Sequence, residues 1–296
     1  MSKQASTSVR LALATVWSEL LDKLDQLQPA IAGDRDIEAL HDFRVALRKT
    51  RALQKLFKPY LPAKATAFHD NFLWLAAASS PVRDLDVLLN FATTQLPAML
   101  GVDLLSLEPA LKLLRRERQG SHAVLQKCLD SERSHQLMRT WRNYIEHQLL
   151  DADGARILDI PMAELARVVM IEQCLRVLKK GRRIDQHTPP SEFHRMRIRI
   201  KRLRYLIDTL QPFLDGRRCT ALLKPLSRLQ LILGDHHDAV VAREHVRRVR
   251  AAMPENTAVI PLLQHWLEII DIQQLCAEDS FGKALRKFAD ACPQSV

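Results

Sequence analysis

Apolar residues recur at three- and four-residue spacing over most of the chain, and alternation of Val, Ile or Thr with polar residues is almost absent. That period places apolar side chains on one face of a helix. Segment 8–30 puts Val9, Ala12, Val16, Leu20, Leu24 and Leu27 on such a face and is expected to stop at Pro29. Asp36 can cap a second helix, which runs to about Lys58 and ends at Pro59 and Pro62. A third stretch, 63–96, is expected to break at Ser79-Ser80-Pro81, and helices near 104–131 and 134–150 follow. Asp151–Pro161 contains Asp, Gly and Pro and reads as a linker. Beyond it come helices near 162–182, 191–211, 217–250 and 258–290. The expected fold class is all-α.

The chain also repeats itself. Segment 40–61, LHDFRVALRKTRALQKLFKPYL, matches 193–214, FHRMRIRIKRLRYLIDTLQPFL, at an offset of 153 residues. His41 falls on His194, Arg44 on Arg197, Arg48 on Lys201, Arg51 on Arg204 and Pro59 on Pro212. A weaker match sets RDLDVLL at 83–89 on DHHDAVV at 235–241, offset 152. The expectation is two similar four-helix bundles, 8–150 and 160–292, related by an approximate two-fold axis.

Helical geometry says what the repeated segment displays. At about 100° per residue, His41, Arg44, Arg48, Arg51 and Lys55 share an arc of about 80°. Phe43, Ala46, Leu47, Thr50, Leu53 and Phe57 occupy the opposite arc. In the second copy His194, Arg197, Lys201 and Arg204 form one stripe, and Met196, Ile200, Leu203, Ile207 and Leu210 form the apolar one. Residues 194–204 hold six basic side chains and no acid. A stripe of this length is about 15 Å long, which suits a row of phosphates better than one. One basic stripe is usually a solvated face, but solvation does not require His at the same place twice. A third stripe, Lys112, Arg115, Arg118 and His122, has no counterpart at the repeat offset.

Composition sharpens this picture. The net charge is +10, and Arg outnumbers Lys by 30 to 14. Arg presents a fork suited to phosphate or carboxylate. Both halves carry the excess, so it is not a detachable tail. The five Cys are scattered without C-x-x-C spacing, which suggests neither a disulfide framework nor a zinc knuckle and favours a reducing compartment. Met1–Arg10 lacks an apolar run, and no stretch of 18 apolar residues exists, so neither a secretion signal nor a membrane span is expected. The expected location is cytoplasmic.

His41-x-x-Arg44-x-x-x-Arg48-Lys49-x-Arg51, Arg83-Asp84-Leu85-Asp86-Val87, His194-x-x-Arg197-x-Arg199-x-Lys201-Arg202-x-Arg204-Tyr205 and Leu233-Gly234-Asp235-His236-His237-Asp238 together closely resemble a CHAD domain, the conserved-histidine α-helical domain. The resemblance covers about residues 8–290 and matches a stand-alone member. It implies two four-helix bundles around a basic cavity, binding of inorganic polyphosphate, and association with polyphosphate granules. The binders it implies are His41, Arg44, Arg48, Lys49 and Arg51 with His194, Arg197, Lys201, Arg202 and Arg204. The angular argument adds Lys55 and, from the third stripe, Arg115, Arg118 and His122. One departure is the acidic segment 265–279, with basic residues returning only at Lys283, Arg286 and Lys287, which implies a shorter site in the second half.

Other chemistry has less support in the chain. Phosphate-cradling and zinc-protease motifs (G-x-x-x-x-G-K, G-x-G-x-x-G, H-E-x-x-H) and G-x-S-x-G are absent. His41-Asp42, His69-Asp70 and His237-Asp238 raise an HD-type metal phosphohydrolase, but Arg and Lys, not acids, accompany His41 on its face. Asp84-x-Asp86 is read as orienting Arg side chains or capping a helix. Binding to the phosphate backbone of nucleic acid is expected to be weak and non-specific, because only Tyr205 is aromatic on the motif stripes. A phosphoprotein receptor would look similar. The expectation is a binding protein without enzymatic activity, cofactor or metal.

Overall fold

The computed structural model describes residues 6–34, 36–149, 158–185, 187–255 and 257–292. Among them the chain forms helices and no strand. They are α1 (Val9–Ala32), α2 (Ile37–Phe57), α3 (Ala63–Ala67), α4 (His69–Thr94), α5 (Leu96–Leu100), α6 (Glu108–Leu129), α7 (Glu132–Asn143), α8 (Met162–Gly181), α9 (Pro190–Leu210), α10 (Gly216–Ala251) and α11 (Val259–Ala291). The expected all-α class holds. Residues 151–157 of the expected linker lie outside the described residues. Beyond them, Val9 N donates to Ile160 O and Met162 N to Thr7 O, which ties the start of α8 to the start of α1.

Local chemistry explains the helix starts. Ser8 caps α1 by accepting from Leu11 N, Asp36 caps α2 by accepting from Glu38 N, and Asp215 caps α10 by accepting from Arg217 N. Two expected breaks do not occur. α1 continues through Pro29 to Ala32, where Gly33 N returns to Pro29 O and Asp34 takes a left-handed φ of 49°. An exposed Asp tolerates that region better than most residues. α4 runs unbroken through Pro81. Ser79 and Ser80 donate to Ala76 O at 2.9 and 3.0 Å, so the hydroxyls take up a backbone acceptor in the turn before the proline.

The buried apolar residues fall into two clusters. The larger joins α1, α2, the first half of α4, the end of α6, α7, α8, α9, the first half of α10 and the end of α11. The smaller joins the second half of α4, the start of α6, the second half of α10 and the first half of α11. The division is sharp along single helices. On α4 one cluster ends at Val82 and the other begins at Leu85; on α10 one ends at Leu233 and the other begins at Ala239. The intervening residues include Arg83, Asp84 and Asp235–Asp238. On α6 the interval between Leu114 and Leu125 contains Arg118 and His122. A polar seam therefore crosses the core. α10 and α11 are antiparallel across it, joined by His236–Glu278 at 3.1 Å and by an Arg243–Asp271 ion pair.

Trp141 anchors the larger cluster. It is 1% exposed and meets Trp17, Phe68, Phe72 and Tyr144 at ring separations of 5.0, 4.9, 5.6 and 5.4 Å. Trp141→Ala removes its area and leaves a void among four rings, so urea denaturation should show a loss of about 3–5 kcal/mol. A loss under about 1 kcal/mol would show that this cluster closes without it.

Candidate functional site

The two motif helices lie against each other. Each turns its apolar arc inward as expected: Phe43, Leu47 and Leu53 on α2, and Met196, Ile200 and Leu203 on α9, are all buried. That rotation leaves the basic arcs of α2 and α9 beside one another. The charges of Arg44, Arg48 and Arg197 all bear on Lys201. Further along, Arg202 of α9 bears on Arg51 of α2.

These cations are half-buried and short of partners. The Nε of Arg44, Arg48, Arg51 and Arg197 is buried without a hydrogen-bond partner among the described residues. Arg48 and Lys201 make no hydrogen bond or ion pair with a described residue. Arg44 is positioned by the two serines of α4, donating to Ser79 Oγ and Ser80 Oγ at 2.9 Å and to Ala76 O at 3.3 Å. The expected break at Ser79-Ser80-Pro81 is thus a mount for Arg44. Counter-charge is thin: Arg197 Nη2 stands 3.6 Å from Asp238, and Asp84 acts on both Arg44 and Arg197.

Burial and mutual repulsion set the protonation. Burial brings Arg44 down to about 10, helped by Arg48, so it stays charged at neutral pH. Burial pushes Lys201 from its ordinary 10.5 down to about 7, and Arg197 and Arg48 add to that shift. His41 is lowered by burial, then by Arg83 and Arg48. His194 is lowered by burial, then by Arg197 and Lys201. Its Nδ1 lies 3.3 Å from His237 Nδ1, and burial with Arg197 pushes His237 down to about 3. The histidines are therefore neutral rings beside cations, able to donate through N–H and to gain charge when an anion arrives.

The other expected binders fall elsewhere. Lys49 is half-buried on α2 itself, next in the chain to Arg48, and Lys55 is exposed at the Arg51 end, where it bears on His69. Arg204 is taken by Asp208, which accepts from its Nε at 2.8 and 2.9 Å, and by Ser227 at 2.5 Å. The third stripe is not brought to the motif helices. Arg118 forks onto Asp34 at 2.6 and 2.7 Å and donates to buried Asp86 at 2.6 Å, which pushes its pKa up. His122 is buried and donates through Nε2 to Ile31 O at 2.8 Å. Arg115 pairs with Glu108 at 2.6 Å. Arg118 and His122 hold the end of α1 against α6, with their polar groups already satisfied. The reading of Asp86 as an Arg-orienting residue fits this contact.

The structure adds residues that the stripes did not include: Arg83, Tyr205, His237, Asp84 and Asp238. Arg83 stands to His41 as His237 stands to His194, and Asp84 to Arg44 as Asp238 to Arg197. Among the described residues no three His, Cys, Asp or Glu side chains gather as a metal-ligand set. Of the His-Asp pairs, His69 lies near Arg51, Lys55 and Arg202, and His237 beside His194 and Arg197.

Two outcomes follow for stability. Arg118→Gln leaves Asp86 buried without its cation and should cost about 3–5 kcal/mol in denaturant melts. Lys201→Met removes a buried cation crowded by like charges and should stabilise the free protein by about 1–4 kcal/mol at pH 7. The folded state holds Lys201 below its unfolded pKa, so the unfolded chain binds more protons between pH 7 and 10.5. The stabilisation should be full below pH 7 and shrink as pH rises toward 10.5. A gap between Lys201→Met and the parent that does not change with pH would contradict the lowered Lys201.

Known proteins share this architecture. The chain is similar over 97% of its length to the crystal structure of the CHAD domain from the plant Ricinus communis, with TM-score 0.79, 24% identity and 94% of that chain covered. It is similar over 95% of its length to PptA from Streptomyces chartreusis, with TM-score 0.70, 14% identity and 100% of that chain covered. Two Mycobacterium tuberculosis proteins, Rv2226 of strain H37Rv and MT2285 of strain CDC 1551, are each 26% identical over 292 residues, 90% of this chain. The chain spans about half of their length, 53%. The family model described as CHAD domain matches residues 15–247, a span that contains both motif helices and every residue of the cationic cluster. The protein belongs to the CHAD-domain family.

Proposed function

We propose that the chain binds inorganic polyphosphate along the seam between α2 and α9, without hydrolysing it, and associates with polyphosphate granules in the cytoplasm. The observation that carries this reading is the cluster of Arg44, Arg48, Arg197 and Lys201, held half-buried with unpartnered donors. Such a cluster is costly unless a polyanion completes it. A phosphate chain supplies repeating charge at the spacing of a helical stripe, and its binding releases counterions. Arg51 with Arg202 extends the same track, so a long chain gains contacts that a single phosphate cannot. Family membership supports the reading, since the resemblance implies polyphosphate as ligand. Nucleic acid is the weaker candidate, because the cluster offers Tyr205 alone for stacking and that ring is buried.

The test is competition against labelled long-chain polyphosphate by orthophosphate, pyrophosphate, ATP, DNA and RNA at fixed salt. Long chains should win, and equal affinity for orthophosphate would overturn the reading. Arg48→Glu and Lys201→Glu should each weaken binding at least about tenfold, since a charged phosphate hydrogen bond is worth about 1.5–3 kcal/mol. Arg247→Glu, on an exposed residue of α10, is the control. The slope of log K against log salt should become shallower in both cluster variants.

Polyphosphate should also raise the Lys201 pKa, so binding takes up a proton above pH 7. The Lys201 contribution to affinity should hold level below pH 7 and fall as pH rises beyond it, by up to about one decade per unit. Lys201→Met should remove that fall. A pH profile identical in parent and variant would show that Lys201 does not face the ligand.

A further inference from the structure

Between α4, α10 and α11 the polar seam holds a cleft of about 610 Å³, within the range of small-molecule pockets. Leu88, Phe91, Ile232, Ala239, Trp266 and Ile270 give it apolar walls, with Phe91 and Trp266 stacked 6.5 Å apart. Its charged lining is Asp84, Asp235 and Asp238 against one cation, Arg228. The three acids act on one another in series: Asp84 with Asp238, and Asp238 with Asp235. Among the described residues the nearest ion pair to any of them is the 3.6 Å approach of Arg197 to Asp238. Desolvation within the cleft raises all three from the ordinary carboxylate value despite Arg44, Arg228 and Arg197, although Asp235 and Asp238 keep exposed surface. A separate observation comes from the apolar wall. Trp266 is 1% exposed, and its indole N–H has no hydrogen-bond partner among the described residues. In a protein of net charge +10, this is an acidic, aromatic-walled cleft.

We propose that the cleft binds a small amphipathic ammonium compound: an amine for the carboxylates and an apolar or aromatic body for the walls. Two of its acids, Asp84 and Asp238, are also the counter-charges of Arg44 and Arg197. An ammonium on those carboxylates cancels part of their field on the cationic cluster. Resting on the polyphosphate reading, occupancy of the cleft then strengthens polyphosphate binding, and polyphosphate strengthens amine binding by the same factor.

The probe is phenylalanine amide, which carries an ammonium, a ring and a carbonyl. N-acetylphenylalanine amide is the control, with the charge removed. Calorimetry on the protein without polyphosphate should show one saturable site, at least about tenfold tighter for the charged compound. Asp235→Asn, on an exposed residue, should weaken it. Ala242→Phe, which fills the cleft, should abolish it with helical content unchanged. Equal affinity for the two amides, or binding unchanged in both variants, would overturn the cleft assignment whatever polyphosphate does. At saturating phenylalanine amide, polyphosphate affinity should rise at least about fivefold in the parent and stay constant in Ala242→Phe. That variant also controls for amine binding directly to polyphosphate. Amine binding with no change in polyphosphate affinity would overturn the coupling and leave the cleft standing. Failure of the parent to bind polyphosphate at all would sink the polyphosphate reading and the coupling with it, and leave the cleft assignment standing.

Discussion

Everything at the candidate site depends on holding Arg44, Arg48, Arg197 and Lys201 side by side with too few carboxylates to match them. Like charges in a half-buried setting repel, and the repulsion is not screened as it would be in water. The chain resists it with apolar packing on the reverse faces of the same helices. Phe43, Leu47 and Leu53 on α2 and Ile200, Leu203 and Leu206 on α9 are buried almost completely. Separating the cations would require withdrawing these side chains from the core. The packing energy of the motif helices therefore holds the charge in place, and the crowded cations are a strained electrostatic state imposed by the hydrophobic pattern.

The same logic explains why the core is divided. A continuous apolar interior would leave no room for Asp84, Asp86, His236 and the Arg118 fork, which need partners in one layer. The seam sorts its charges into two kinds. Arg118 with Asp34 and Asp86, and Arg243 with Asp271, are closed pairs that fasten helix to helix. Arg48 and Lys201 are open. Closed pairs spend their hydrogen-bonding capacity within the fold, and only the open cations retain donors for a ligand.

This sorting marks how much was legible in the sequence. The all-α class, the basic arcs of α2 and α9 and their inward apolar arcs follow from helical period alone. The third stripe also obeys that period, yet Arg118 and His122 fasten α1 to α6. Period gives the face a residue occupies and not what meets it. Their partners, Asp34 and Ile31 O, lie more than 80 positions away in the chain. Arg204 is similar, except that Asp208 stands four residues on, a spacing at which a pair can be read directly. The uninterrupted α4 went unread for a different reason. Pro81 signals a break locally, whereas Arg44 of another helix and two serine hydroxyls hold that turn together. The positions of His237 and Asp238 beside His194 and Arg197 depend on how α10 packs against α9, which helical period does not give.

The unequal use of Arg and Lys in the cluster has a physical consequence. Burial takes Arg44 down to about 10, which leaves it charged at neutral pH, but takes Lys201 to about 7, where charge is half lost. The corresponding stripe position on α2 is Arg48. Three guanidinium groups thus fix a constant positive field, and one ammonium makes the total adjustable. In the free protein, Lys201 relieves the crowding by shedding a proton, an escape that Arg does not have. On the polyphosphate reading proposed above, an arriving phosphate chain would reverse the balance, because its charge would offset the repulsion from Arg44, Arg48 and Arg197. His41 and His194, whose pKa values are lowered by burial and by the neighbouring cations, would extend this behaviour to lower pH on the same reading. On that reading the site would carry less positive charge when empty than when full, which would limit the electrostatic strain on the fold while no ligand is bound.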